Sequence, residues 1–118
     1  MPGLFAVHYP KKQQEDDCVA MARDCDINCT ARTLKAISHP LRLKILCALD
    51  ENELSVMEIV ENSGSSQSNV SQHLNYLRSK GVLCSRRQAN RVFYRITRTE
   101  LIDIIKMMND LYCKSAKQ

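Results

Sequence analysis

The stretch Leu54–Leu83, LSVMEIVENSGSSQSNVSQHLNYLRSKGVL, decides how this chain folds. It reads as a short helix, a turn of small residues and a second helix. Ser55 stands where a cap belongs for a short helix Val56–Glu61, and Asn62–Ser65 makes the turn. The second helix runs from about Gln67 to Ser79. It ends at Lys80-Gly81, a basic last turn followed by the glycine favoured past a helix end. Val70, Leu74 and Leu77 recur at helical spacing, the stripe that a helix needs in order to dock. Around it Ser65, Ser66, Gln67, Ser68, Asn69, Ser71, Gln72 and His73 form a face of short hydrogen-bonding groups. Docking does not require such a face. Amides and hydroxyls of this kind pair with base edges and phosphates in a major groove, so the segment reads as a helix-turn-helix pointing to DNA.

Downstream, Val82–Arg87 and Arg91–Ile96 are strand-like and are joined by Gln88-Ala89-Asn90. Val92, Tyr94 and Ile96 alternate with Phe93 and Arg95, the period-2 pattern of a strand. An arginine-studded hairpin directly after a helix-turn-helix is a wing. From Glu100 to about Lys114 a last helix carries Leu101, Ile104, Ile105, Met108, Leu111 and Tyr112 on one broad face. That face is too apolar for a free surface helix and calls for a partner, most simply its own copy in a dimer. Upstream, Thr30 is placed to cap a helix whose apolar positions are Leu34, Ile37, Leu41, Ile45, Leu46 and Leu49, with a break near His39 imposed by Pro40. A short helix is expected over Asp17–Ala22, before the broken stretch DCDINC. Residues 1–16, with Pro2, Gly3 and Pro10, read as a flexible arm and 17–118 as one domain. The fold class is mainly α with a β-hairpin wing, in the order α-α-α-α-β-β-α.

The chain has 118 residues, and 17 Lys and Arg against 13 Asp and Glu give a net charge of only +4, so the location of the charge matters more than its total. Arg78, Lys80, Arg86, Arg87, Arg91, Arg95 and Arg98 crowd one short region, while Asp50–Glu61 carries only acids. Such an asymmetry is an electrostatic footprint for phosphate. No run is long and apolar enough for a transmembrane helix, and the N-terminus lacks the pattern of a secretory signal, so a reducing cytoplasm is expected. In that compartment Cys18, Cys25, Cys29, Cys47, Cys84 and Cys113 read as metal ligands, redox groups or buried apolar fillers rather than a disulfide framework. No glycine-rich phosphate loop is present, and His8, His39 and His73 form no catalytic pair. The chain reads as a binding protein, not an enzyme, with no cofactor.

The order of these segments resembles the ArsR/SmtB family of winged-helix repressors over about Leu34–Lys114. The resemblance rests on His39-Pro40-Leu41-Arg42, on Ser71-Gln72-His73-Leu74 in the reading helix and on Val92-Phe93-Tyr94 in the wing. It implies a homodimer built through the N- and C-terminal helices that leaves its operator when an inducer binds. One metal site of the family uses Cys-Val-Cys where this chain has Glu53-Leu54-Ser55-Val56-Met57, and serine and methionine do not replace thiolates for a soft cation. A second uses Asp and His on the terminal helix, where Asp103 is followed by Ile104 and Ile105 and histidine is missing. The contexts of Cys47 and Cys113, LKILC and LYC, resemble instead the persulfide-responsive (BigR/SqrR-like) branch, in which two such thiols of one subunit become linked and repression is relieved. Both cysteines also suit plain core packing. The alternative is a metal- or arsenite-responsive repressor using Cys18, Cys25 and Cys29. Cys84, at the start of the wing, is expected to be half-buried and receives no role.

The expected partners are double-stranded operator DNA, a second copy of the chain and a persulfide or polysulfide inducer, with no membrane. Gln67, Ser68, Asn69, Ser71 and Gln72 would lie nearest the bases, since Asn and Gln pair well with adenine. Ser66 would cap the reading helix and meet a phosphate at its positive end. For His73 two readings stand: a phosphate contact, or an internal hydrogen bond supporting the turn. Arg86, Arg87 and Arg91 would grip phosphate or the adjoining minor groove, whereas Arg95 and Arg98 read as partners of acids. Phe93 and Tyr94 read as wing packing; Leu74, Leu77, Val82 and Ile96 read as core.

Overall fold

A computed structural model describes residues 27–114. Helix α1 spans Ile27–Ile37, α2 Pro40–Leu49, α3 Val56–Ser63, α4 Gln67–Ser79 and α5 Glu100–Asn109. Strand β1 is Leu54–Ser55, β2 Leu83–Gln88 and β3 Arg91–Ile96, and a π-helical turn, Asp110–Lys114, continues α5. The flexible arm 1–16 and the short helix over Asp17–Ala22 lie outside the described residues.

The break between α1 and α2 follows from Pro40, which takes the first position of α2, where a missing N–H costs nothing. His39 supplies the cap: its backbone is extended, and its Nδ1 accepts from the Leu41 N–H at 3.1 Å. Helix α3 begins with a reciprocal capping box. The Glu58 N–H donates to Ser55 Oγ at 3.2 Å, and the Ser55 N–H donates to Glu58 Oε1 at 2.8 Å. The helix runs on to Ser63, two residues past the expected end, and stops at Gly64, whose φ of 74° is left-handed. Ser66, with its Oγ accepting from the Asn69 N–H at 3.1 Å, then starts α4. The reading helix has the bounds its sequence predicts.

The three strands form an antiparallel sheet in the order β1-β3-β2. Strand β1 is too short to announce itself in the sequence; it pairs Leu54 with Tyr94 and Ser55 with Phe93. In the wing, Leu83 lies opposite Ile96, Arg86 opposite Phe93 and Gln88 opposite Arg91. One core joins these elements: Ala36, Ile37, Ile45, Leu46, Leu49, Ile59, Val70, Leu74, Leu77, Val82, Leu83, Tyr94, Ile96 and Ile102. Helix α4 packs on α2, α3 and β2 through its apolar stripe. Among the described residues no helix is long and apolar enough to cross a membrane.

Three expectations need correction. Thr30 caps nothing, because α1 is already helical from Ile27 and Thr30 lies within it, exposed. Leu34, expected on the apolar face, is 49% exposed, because α1 turns only its last residues, Ala36 and Ile37, fully into the core. The terminal helix is not one uninterrupted α-helix, since its last five residues widen into a π turn.

An alanine at Gly64 meets no steric obstacle, since a Cβ there finds nothing within 4 Å. The cost lies in the left-handed backbone. Gly64→Ala is expected to lower stability by about 1–2 kcal/mol and Gly64→Asn by less, as read from urea midpoints. Equal stability of Gly64→Ala and the parent would contradict this.

Candidate nucleic-acid interface

With Val70, Leu74 and Leu77 buried, the opposite face of α4 must face out. Gln67, Ser68, Asn69 and Gln72 are exposed and Ser71 is partly so. Asn69 is partly engaged, since its Nδ2 donates to Ser65 Oγ at 2.9 Å. Asn75, four from Ser71 and three from Gln72, and Arg78, three further on, continue this exposed face along the helix. Asn75 is not among the expected base-reading residues, although its helical spacing marks it. Ser66 is committed to the helix N-terminus, which leaves the first backbone N–H groups and the positive end of the dipole facing outward.

His73 takes the internal bond of its two readings. It is half-buried, and its Nδ1 accepts from Arg42 Nε at 3.1 Å. The ring lies 4.5 Å from the His39 ring. Burial, then the nearby His39 and Arg42, hold the His73 imidazole below its ordinary value of 6.5. An acceptor at Nδ1 requires the neutral ring, so the geometry and the depressed pKa agree.

In the wing, Arg87 and Arg91 are exposed at the hairpin end. Arg91 also reaches Ser55 Oγ at 3.4 Å. Arg86 departs from its expected role. Its Nε and Nη2 donate to the two carboxylate oxygens of Glu53 at 2.8 and 2.7 Å, and its Nη1 donates to Gln88 Oε1 at 2.6 Å. The fork-on-carboxylate geometry is the strong, bidentate form of this pair. Hydrogen bonding to Arg86 holds the Glu53 carboxyl below the usual carboxylate range, and Glu53 in turn raises the Arg86 value. Arg86 and Arg91 both lie over the Phe93 ring, 4.8 and 5.6 Å from its centre. The acidic segment and the arginine run, which the sequence shows as two separate features, thus meet at the base of the wing.

Cys47 on α2 and Cys113 in the terminal turn are free thiols, both exposed, so they do not fill the core. They form no bond with each other in this structure. Cys84 is buried, not half-buried, with its Sγ 3.4 Å from Thr97 Oγ1. The segment Glu53–Met57 leads into β1 and the start of α3, with Ser55 buried as the cap of that helix. Among the described residues no three metal-ligating side chains cluster. Cys18 and Cys25 lie outside them, and Cys29 sits on α1.

A family model described as "Bacterial regulatory protein, arsR family" matches residues 39–84. The biofilm growth-associated repressor of Xylella fastidiosa (strain Temecula1) is 36% identical over 91 residues, 77% of this chain and 80% of that one. The transcriptional activator HlyU of Vibrio cholerae serotype O1 is 44% identical over 82 residues, 70% of this chain and 76% of that one. Among solved structures, the homodimeric winged helix-turn-helix DNA-binding domain Mb0332 of Mycobacterium bovis superposes with a TM-score of 0.65 at 28% identity, covering 84% of this chain and 90% of that one.

Glu53 holds the Arg86 guanidinium that would otherwise be open to a phosphate. Glu53→Gln should therefore tighten DNA binding and steepen the dependence of log K on log salt by up to about one unit per subunit. A salt titration by fluorescence anisotropy reads both. An unchanged slope would mean that Arg86 stays off the phosphates even when released.

Proposed function

This chain belongs to the arsR family of bacterial regulatory proteins, DNA-binding transcriptional regulators with a winged helix-turn-helix, and we propose that it is a homodimeric repressor. In this reading it leaves its operator when a persulfide or polysulfide links Cys47 to Cys113. Residues Gln67, Ser68, Asn69, Ser71 and Gln72 read bases, the N-terminus of α4 at Ser66 meets a phosphate, and Arg87 and Arg91 grip the backbone beside the wing. Arg86 joins them when it exchanges Glu53 for a phosphate.

Dimerisation is supported by what the single chain leaves uncovered. Ile104, Met107, Met108, Leu111 and Tyr112 are exposed along α5 and its π turn, with Leu111 63% and Tyr112 71% accessible. Ile27 and Leu34 are exposed on α1. Apolar surface on this scale marks an interface, and the homodimeric domain from Mycobacterium bovis supports a second copy as its occupant. Two copies related by a two-fold axis present two reading helices to a palindromic site, about one helical turn apart.

The observation that carries the sulfur reading is the state of the two thiols. Cys47 and Cys113 are free and exposed, on the helix that packs against the reader and in the turn that ends the dimer helix. A thiolate takes the outer sulfur of a persulfide RSSH and releases RS⁻. The second thiolate then closes on the bound sulfur chain and expels HS⁻, so sulfane sulfur is reduced to sulfide while two cysteines are oxidised. A polysulfide carrying more sulfur leaves extra atoms in the bridge and spans pairs beyond the ~7 Å Cα limit of a plain disulfide. The link favours release only if it stabilises the arrangement with misplaced readers, since a modification shifts an equilibrium by its preference between the two states.

Cys47→Ser and Cys113→Ser are expected to bind operator as the parent does and to remain bound when polysulfide is added. Release of both variants by polysulfide would remove the proposed pair. Mass spectrometry should show an intramolecular sulfur bridge after polysulfide but not after peroxide; a clean disulfide from peroxide alone would count against a link that depends on sulfane sulfur. Leu111→Glu should sediment as a monomer and bind operator at least about tenfold more weakly. A dimeric Leu111→Glu would place the subunit interface elsewhere.

A further inference from the structure

Arg42 has no part in the contacts proposed with DNA, yet its guanidinium engages three separate partners. Its Nη1 donates to the Ala36 carbonyl at 2.8 Å, in the last turn of α1, where the helix leaves its carbonyls without internal partners. Its Nε donates to His73 Nδ1 at 3.1 Å, and its guanidinium lies 3.8 Å from the centre of the Tyr76 ring. His73 and Tyr76 are three residues apart on α4, on one side of the helix and adjoining the face that carries Gln72. One planar cation on α2 thereby holds the end of α1 and the middle of α4 together.

We propose that Arg42 is the positioning residue of the reading helix, fixing the angle of α4 to α1 and α2 through His73, Tyr76 and the Ala36 carbonyl. The inference rests on the reading of α4 as the helix that meets base edges. Base contacts tolerate little misplacement, because paired hydrogen bonds to a base edge need both donor and acceptor in register. Phosphate contacts by flexible arginines tolerate far more. A reader that tilts therefore loses discrimination before it loses affinity for DNA in general.

Only arginine meets this set of demands. Its rigid fork reaches two acceptors in different directions while its plane stacks on an aromatic ring, and lysine, with a compact ammonium, has no such fork. The arrangement also depends on a neutral His73. The groups facing that ring are His39 from the corner between α1 and α2, Arg42 from α2 and Tyr76 from its own helix, with Lys80 Nζ 5.4 Å from the Tyr76 ring centre. From α1 the clamp receives the neutral Ala36 carbonyl. A proton on Nδ1 turns the acceptor into a donor aimed at a guanidinium, and that side of the clamp is lost. Because burial and the two neighbours hold the folded value below 6.5, the unfolded chain takes up this proton first. The stability tied to the neutral ring is therefore present above 6.5 and falls as pH drops from there through the depressed folded value.

The test uses the full chain and two duplexes. One is a genomic fragment recovered by repeated selection on immobilised wild-type protein; the other is the same fragment scrambled. Arg42→Lys is expected to lower the ratio of the two affinities about tenfold, with the salt slope on the scrambled duplex unchanged. A slope reduced by about one unit would make Arg42 a phosphate ligand and overturn the inference. Equal losses on both duplexes, or an unchanged ratio, would overturn it as well. In the wild type the ratio should fall as pH drops through the folded His73 value, which burial and its neighbours hold below 6.5. His73→Asn, which keeps an acceptor near the Nδ1 position and has no proton to gain, should flatten that fall. If Arg42→Lys does not fold, this pH comparison decides: a wild-type ratio flat with pH, or an equal fall in both proteins, overturns the proposal. A wild type that fails to distinguish the two duplexes would sink the reading of α4 itself, a result separate from any behaviour of Arg42.

Discussion

The structure depends on the burial of three side chains on one helix. Val70, Leu74 and Leu77 are fully enclosed, and each contributes on the order of 1.5–3 kcal/mol relative to exposure. Their stripe leaves α4 a single way to dock on α2, α3 and β2. Once it is docked so, the amide and hydroxyl face has nowhere to go but outward. The proposed recognition surface is the far side of a hydrophobic contact. The capping box at Ser55 and Glu58, the left-handed Gly64 and the Ser66 cap then set the entry to α4 over a few residues.

Charge is arranged with equal economy around that helix. The wing arginines are not a loose cationic cloud. Arg86 is held by Glu53 and Gln88 and lies, with Arg91, over Phe93, so the hairpin keeps its shape before any phosphate arrives. Arg42 plays the matching part on the other side of the reader, where it bonds to a helix end, a histidine and an aromatic ring. Both are arginines chosen for geometry as much as for charge.

A single copy of the chain is unfinished at its ends. The exposed apolar residues of α5 and the π turn, with Ile27 and Leu34 on α1, lie apart from the one core that the described residues form. Cys113 sits within that uncovered end and Cys47 on a helix that packs against the reader. A bond between them would tie that uncovered apolar end to the helix that packs against α4.

What the sequence determined by itself was local. The break at Pro40, the capping serines at Ser55 and Ser66, the bounds of α4, the end at Lys80-Gly81 and the alternation in β3 depend on neighbours within about four residues, where backbone sterics and hydrogen bonding act directly. The exposed face of α4 was legible for the same reason, because a 3.6-residue period assigns its faces without knowledge of the partner. Only the tertiary structure decided what the charged side chains do. Arg42 meets His73 across 31 residues and Arg86 meets Glu53 across 33, and no spacing rule reaches that far. The outward turn of Leu34 and the pairing of β1 with β3 were set in the same way, by the packing of distant segments. A side chain's partner is fixed by where the core brings its backbone, and that is a property of the folded chain as a whole.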